Sequence, residues 1–331
     1  MKKLIIFIHA ILLSNTIIAQ NYMEEKHGVF NAKEGKVVMP KKVILFKDTA
    51  KSQKMVFFKT ILQVNTDGTP KSYHPDDIGG NEKAINTIGN AVAIYKIGNV
   101  GKDNKKINLF TDGKSNYKLA KDIFKQFQES NYEKLPDGYK ISWEKVLYPI
   151  EKNGKLKPCI LSEGDYKGYY GSTTSLKNDV KEHIADCGCS NQINSLDING
   201  FVIPLGEKNV IKTFGNEVGD LALAYNPTNN KLVYAVIYDK GPIDKLGEGS
   251  VKLNMNLENK TKFPENSNQT NNFATKNEIY LILLPGSINY KIEKPYSNAN
   301  IEKRAKSLLS EMGYKNDEDI IQFIMSNLSN L

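Results

Sequence analysis

Two acidic residues bracket one short loop. Asp239 ends the apolar run Leu-Val-Tyr-Ala-Val-Ile-Tyr (232–238), and Glu248 opens Glu-Gly-Ser-Val-Lys-Leu (248–253), with a loop containing Gly and Pro (240–247) between them. The first run reads as a buried strand, and a second strand is expected to start near Glu248. If the two pair as a hairpin, Asp239 and Glu248 stand opposite each other at the loop mouth, with Cβ atoms about 4.5–5.5 Å apart. Such a pair suits cleavage of an acetal, which needs a proton on the leaving oxygen and an activated water or nucleophile at the sugar carbon. Like charges held close raise one pKa, so one group is protonated while the other stays ionised. Carboxyls about 6.5–9.5 Å apart leave room for water and give inversion, whereas about 5–5.5 Å gives retention. Gly241, Gly247 and Gly249 would let a polymer approach the backbone. Asp and Gly are also common turn formers, so spacing alone does not assign the chemistry.

Tyr73-His74-Pro75-Asp76-Asp77 is the other concentrated polar cluster. Its carboxylates are of a type that binds sugar hydroxyls or an amine, and the same run is equally a Pro-Asp-Asp turn. Trp143, Tyr169, Tyr170 and Tyr225 are suited either to stacking on sugar rings or to filling a core. The cysteines are Cys159, Cys187 and Cys189. Cys159 can form a disulfide with either Cys187 or Cys189, leaving one thiol. With His183 the three also make a four-ligand set, but His183-x3-Cys187-x-Cys189 matches no standard zinc spacing. There is no phosphate-cradling loop, no His-Glu-x-x-His and no Gly-x-Ser-x-Gly, so no cofactor and no metal is expected.

The elements that must position these groups read as strands first, then helices. Strands are expected at 37–39, 43–46, 55–64, 91–95, 200–204, 221–225, 231–238 and 279–284, with Asp67-Gly68 and Asn153-Gly154 as tight turns. Val251, Leu253, Met255 and Leu257 alternate with polar residues, the pattern of a half-buried strand. Leu119, Ile123, Phe124 and Phe127 mark a helix over 118–130. After Ser297, helical spacing appears twice, ending in Met312-Gly313 and then running from Asp317 to Leu328. At the start, Met1-Lys2-Lys3, an apolar run to Ile18 and the small Ala19 have the layout of a secretory leader, too interrupted to span a bilayer. Expected domains are therefore a leader at 1–19, a β-rich domain at 20–290 with its core at 55–257, and a helical tail at 291–331. Hydrophobic content of 40% permits a sizeable core. The net charge of +8 comes from scattered lysines, which is not the concentrated patch a nucleic-acid binder needs. A monomer with no membrane span is expected.

Taken together, Tyr238-Asp239-Lys240-Gly241-Pro242 and Gly247-Glu248-Gly249-Ser250 resemble the signature of the glycoside hydrolase family 75 chitosanases, in which an Asp, a Gly and Gly-Glu-x-Ser carry two essential acids. Four further stretches are similar in order: Asn65 to Pro70, Gly168 to Leu176, Asp197 to Pro204 and Gly219 to Ala222. The resemblance spans 55–257, and it departs from the family where Asn65 replaces an acid and where Lys-Gly-Pro follows Asp239. It implies an α+β, mostly β fold with a six-stranded, double-psi-like barrel, and endo-acting, inverting cleavage of β-1,4 bonds in chitosan or a related amino-glycan. The resemblance maps the two essential acids onto Asp239 and Glu248; Glu248 is assigned as general acid and Asp239 as general base, a split the sequence leaves open. Asp67, Tyr73, His74, Asp76, Asp77, Tyr170, Thr173, Asp220 and Ser250 are the expected substrate-binding residues, with Asp165 as a further acidic lining candidate. A peptidoglycan-directed hydrolase, or a non-catalytic glycan binder, is the alternative. The charge of +8 is unfavourable for long-range attraction of a polycation.

Overall fold

The computed structural model of the protein describes residues 22–34, 37–48, 53–100 and 106–331; the expected leader lies outside them. The chain opens with a long hairpin, β1 (Tyr22–Glu34) and β2 (Val37–Asp48), followed by β3 (Lys54–Thr60) and β4 (Gln63–Asn65). A single helical turn, α1 (Ile88–Ala91), leads into a lobe of β5 (Ala93–Val100), β6 (Lys106–Asn108), α2 (Lys114–Glu129) and β7 (Tyr139–Ser142). The hairpin β8 (Pro149–Lys152) and β9 (Lys155–Pro158) turns at Asn153-Gly154, both at positive φ. Then come β10 (Gly200–Pro204), α3 (Val210–Thr213), β11 (Leu221–Asn226), β12 (Lys231–Gly241), β13 (Glu248–Ser250), α4 (Val251–Leu257), α5 (Ser267–Asn271) and β14 (Ile279–Leu284). Two helices, α6 (Asn298–Glu311) and α7 (Asp317–Ser326), close the chain.

Nine strands make one curled sheet in the order β1-β2-β3-β14-β11-β12-β10-β13-β4, and the fold is mixed α+β. The sheet has nine strands where six were expected, and the N-terminal hairpin accounts for two of them by extending the sheet beyond β3. Both faces of the sheet are covered, which is why its central strands read as unbroken apolar runs. In β12, Val233, Ala235 and Ile237 join Phe58, Phe201, Leu253 and Leu257 in one core. Tyr234, Val236 and Tyr238 point the other way, into a core shared with Ile301, Leu308, Ile320 and Phe323 of α6 and α7. The C-terminal helices therefore lie on the sheet and share its core. Phe323 meets the rings of Phe46 and Phe57 edge-on at 5.1 and 6.1 Å, and burying one such ring contributes about 1.5–3 kcal/mol. Among the described residues, no helix is long and apolar enough to cross a membrane.

Three local expectations are corrected. The run 55–64 is broken after Thr60: the chain bends at Ile61-Leu62 and resumes as β4. In α2, Ala120 is buried and Leu119 is 38% exposed, so the packed face is Ala120, Ile123, Phe124 and Phe127. The segment 251–257 is the helix α4, not a strand. Its alternation comes from two interleaved i,i+4 stripes: Val251 and Met255 pack with Ile85 and Phe273, while Leu253 and Leu257 pack under the sheet. A short helix buried on two sides imitates period two.

Ser250 starts α4. Its hydroxyl accepts from Leu253 N (3.0 Å) and Gly200 N (2.9 Å) and donates to Ile198 O (2.6 Å), with the residue wholly buried. This side chain joins helix, strand and loop, so it does not bind substrate. Ser250→Ala removes a cap and leaves two backbone groups short of a partner. It should cost about 2–3 kcal/mol in denaturant-induced unfolding; a loss below about 0.5 kcal/mol would show that the cap is dispensable.

Candidate active site

β12 and β13 do not form a hairpin: β10 lies between them, parallel to β12 and antiparallel to β13. Val202 of β10 is the shared neighbour, with Asp239 as its Cα partner on one side and Glu248 on the other. Strands lie about 4.7–4.9 Å apart, so the two acidic Cα atoms are separated by about 9–10 Å, and residues in register share a face. The pairing of β10 with β12 slips by one residue between Phe201 and Val202, skipping Tyr238. Without that bulge Asp239 would stand opposite Ile203, whose side chain belongs to the core of the other face. The extra residue re-aims the carboxylate.

The face opens into a cleft of about 560 Å³ whose lining includes Asp67, Asp239 and Glu248, together with Lys145, Lys240 and Lys245. Gly241 makes room for it, since a Cβ there would lie 2.5 Å from Glu248 Oε2 and 3.0 Å from Val202 Cγ1. Ser175 N (3.0 Å), Ser175 Oγ (2.6 Å) and Lys240 N (2.9 Å) all donate to Asp239 Oδ1. Among the described residues no donor reaches Oδ2. Burial raises the Asp239 pKa, and the Ser175 and Lys240 donors and the Lys177 charge offset part of the rise. Glu248 Oε1 pairs with Lys245 Nζ at 2.6 Å. This link is not closed off, because the Lys245 side chain stays 33% exposed at the cleft.

Asp67 follows β4, which runs parallel to β13 and ends at Asn65 beside Ser250. Asn65 Oδ1 accepts from Asp67 N (2.8 Å) and Tyr238 OH (2.9 Å), fixing the turn against β12. Tyr73 OH donates to Asp67 Oδ1 at 2.8 Å and accepts from Asn86 Nδ2 at 3.1 Å. Burial, then the charge of Asp239, pushes the Asp67 pKa from 3.8 up to about 7, against the opposing Tyr73 hydrogen bond. Among the described residues, no group of three or more His, Cys, Asp or Glu is gathered to hold a metal ion.

Of the expected binding residues, Asp67, Tyr73 and Thr173 line the cleft with the acidic pair. The others do not. Asp77 accepts from the backbone N–H groups of Asn81, Glu82, Lys83 and Ala84, which is a loop cap. Its neighbour Asp76 lies in a separate depression beside α2 and pairs with Lys83. His74 is buried, takes Asp76 N on its Nδ1 and meets Tyr169 edge-on at 4.6 Å. Tyr170 is wholly buried against Gln128 and Tyr132. Asp220 is buried, holding the N–H groups of Glu217 and Ile288. Trp143 and Tyr225 are core residues, and Asp165 is exposed outside the cleft lining. The disulfide is Cys159–Cys187, which removes two of the four conceivable zinc ligands. Cys189 stays a thiol, its pKa pushed up to about 12 by burial.

Ser175, Asn86 and the three lysines carry no individual sequence cue. Only their order along the chain relative to Asp239 marks them, and the contacts that matter are long-range. The chain matches no protein-family model and no curated protein.

Asp67 gives a signed pH test. Its folded pKa lies above the unfolded value, so its protonated form stabilises the fold, and that contribution is lost as pH rises from about 4 to about 7. Asp67→Asn should therefore match wild type near pH 4 and exceed it at pH 8 by roughly 1–2 kcal/mol, reduced from the full shift because the cleft admits water. Unfolding curves across that range check it; a pH-independent difference would reject a raised Asp67 pKa.

Proposed function

We propose that the protein is an exported, monomeric, endo-acting glycoside hydrolase of chitosan or a related amino-sugar polymer, inverting at the anomeric carbon. The reading is carried by one observation: Asp239 and Glu248 flank Val202 in register on one face of the sheet, in one cleft. A Cα separation of two strand spacings leaves room for the carboxyl groups to stand about 6.5–9.5 Å apart, the spacing at which a water fits between the acids. Two parallel pairs, β10/β12 and β4/β13, joined by the antiparallel β10/β13 contact, support a relation to double-psi barrels. The leader-like start and the Cys159–Cys187 disulfide favour an oxidising compartment.

The hydrogen bonds around the two carboxylates favour the reverse of the role assignment expected above. With three donors on Asp239 Oδ1, a proton on this carboxyl sits on Oδ2, where it can be given to the leaving oxygen. Glu248, held at 2.6 Å from the Lys245 ammonium, is the group placed to accept a proton from water. In the reaction, the Asp239 proton passes to the glycosidic oxygen as the C1–O bond breaks. Water bonds to C1 from the opposite side and gives its proton to Glu248.

Purified mature protein, Asp239→Asn and Glu248→Gln should be incubated with chitosan oligomers and with peptidoglycan, and new reducing ends counted. Each variant should lose about 10²–10⁴-fold in kcat. The first product from a β-linked oligomer should be the α-anomer by NMR. Equal activity in the variants would mean the wrong acids are named; binding without cleavage by all three proteins would make this a glycan-binding module.

A further inference from the structure

Resting on the glycan-hydrolase reading, we propose that Asp67 is the specificity-determining residue of the cleft: its outer carboxyl oxygen meets the nitrogen substituent of the sugar being cut, and the cleft takes N-acetylated residues ahead of free amines. The carboxyl group itself is fixed at the site. Tyr73 OH, which also lines the cleft, donates to Oδ1 at 2.8 Å, and Asn86 Nδ2 donates to that hydroxyl at 3.1 Å. Asp67 N is held by Asn65 Oδ1, which also takes the hydroxyl of Tyr238, the neighbour of Asp239 in β12. The next residue, Gly68, donates its N–H to Ser172 Oγ at 3.1 Å, and a Cβ there would lie 2.5 Å from Thr174 Cγ2. The same segment then gives Asp239 its Ser175 donors. Two separate ties therefore bring Asp67 to Asp239, and the charges of both Asp239 and Glu248 act on its carboxyl. Oδ2 accepts no hydrogen bond among the described residues, and it is not one of the buried polar atoms left without a partner, so it faces the water of the cleft.

A group beside the acid pair faces the sugar whose C1–O bond breaks, and the substituent on C2 stands next to that bond. In an amino sugar C2 carries nitrogen. An ammonium there offers donors alone, whereas an acetamido group offers an N–H and a carbonyl oxygen. The surroundings of Asp67 suit the second. Burial, then the charge of Asp239 and with it that of Glu248, lets the carboxyl hold its proton up to about pH 7. The other titratable groups facing it, Tyr73 and Tyr238, are buried phenols pushed up and stay neutral. A protonated carboxyl donates from Oδ2 to an acetamido carbonyl, but it sets a donor against the donors of an ammonium. A site built to hydrogen-bond one polar group discriminates against the analogue that lacks it.

The test uses the mature full chain carrying Glu248→Gln, which binds without cutting on the hydrolase reading, and two oligomers, one of N-acetylglucosamine and one of glucosamine. Near pH 5 the acetylated oligomer should bind about fivefold tighter, the worth of one hydrogen bond. Adding Asp67→Asn, which keeps a neutral donor, should preserve that preference; adding Asp67→Ala should abolish it. The acetylated oligomer does not titrate, so its affinity reads the protein alone. That affinity should fall as pH rises through about 7 with Asp67 and stay level with Asp67→Asn. Tighter binding of the glucosamine oligomer near pH 5, an unchanged preference in the Ala variant, or binding of neither oligomer would overturn the assignment. Should the Ala variant not fold, the Asn variant decides: an affinity that still falls as steeply with pH belongs to another group and rejects Asp67. Reducing ends released by wild type are counted separately. Cleavage of neither oligomer, with the binding preference intact, sinks the hydrolase reading alone; cleavage without any preference sinks the Asp67 assignment alone.

Discussion

The slip of one residue between β10 and β12 decides which side of the sheet Asp239 faces. Strand side chains alternate, so Ile237 and Asp239 would both enter the same apolar core if pairing continued without interruption. A carboxylate there would be desolvated among Phe58, Phe201 and Ile203, a cost of several kcal/mol with no partner to offset it. Skipping Tyr238 turns Asp239 over, onto the face where Ser175 and Lys240 N–H meet it. Tyr238 stays in the core and sends its hydroxyl to Asn65, which in turn holds the turn bearing Asp67. The irregularity places Asp239, while the uninterrupted alternation that carries Tyr234, Val236 and Tyr238 anchors the turn of Asp67.

The third acid depends on the same strand from its other side. β13 has only Glu248, Gly249 and Ser250, and β10 and β4 grip it on both edges. Ser250 then ends the strand and begins α4, whose Leu253 and Leu257 fill the space beneath the sheet. Glu248 is consequently held by a packed junction rather than by a loop tip. On the proposed hydrolase reading that rigidity matters, because misplacing a reacting group by about 1 Å can cost about a hundredfold in rate.

Much of this was legible in the sequence, and the failures have a common cause. β11, β12 and β14 were visible because strands buried on both faces are apolar throughout, and α6 and α7 because each covers the sheet with one stripe. The two acids of the cleft stand out in the sequence because they bracket a Gly-Pro loop. Their relation was misjudged as a hairpin because local spacing cannot reveal a third strand inserted from residues 200–204. The same limit explains Asp77, Asp220 and Ser250, polar residues that look available in one dimension but are spent on backbone N–H and C=O groups in three. Tyr170 and His74 failed similarly, since a buried, hydrogen-bonded ring has the same letter as an exposed one. α4 failed because two helical stripes, offset by two residues, add up to the alternation of a strand.

Charge orders the cleft once the backbone has placed it. Three acids in a partly buried space repel one another, and each meets that differently. Glu248 takes an ammonium, Asp239 takes three donors on one oxygen, and Asp67 takes a phenol and remains protonated to about pH 7. These are distinct solutions to one electrostatic problem, and they differentiate residues that are chemically alike. A cleft that gave every acid the same environment would leave acid and base indistinguishable. Here the ammonium beside Glu248 and the donors gathered on one oxygen of Asp239 make the two acids unequal, which is what the proposed proton transfer across a glycosidic bond would require.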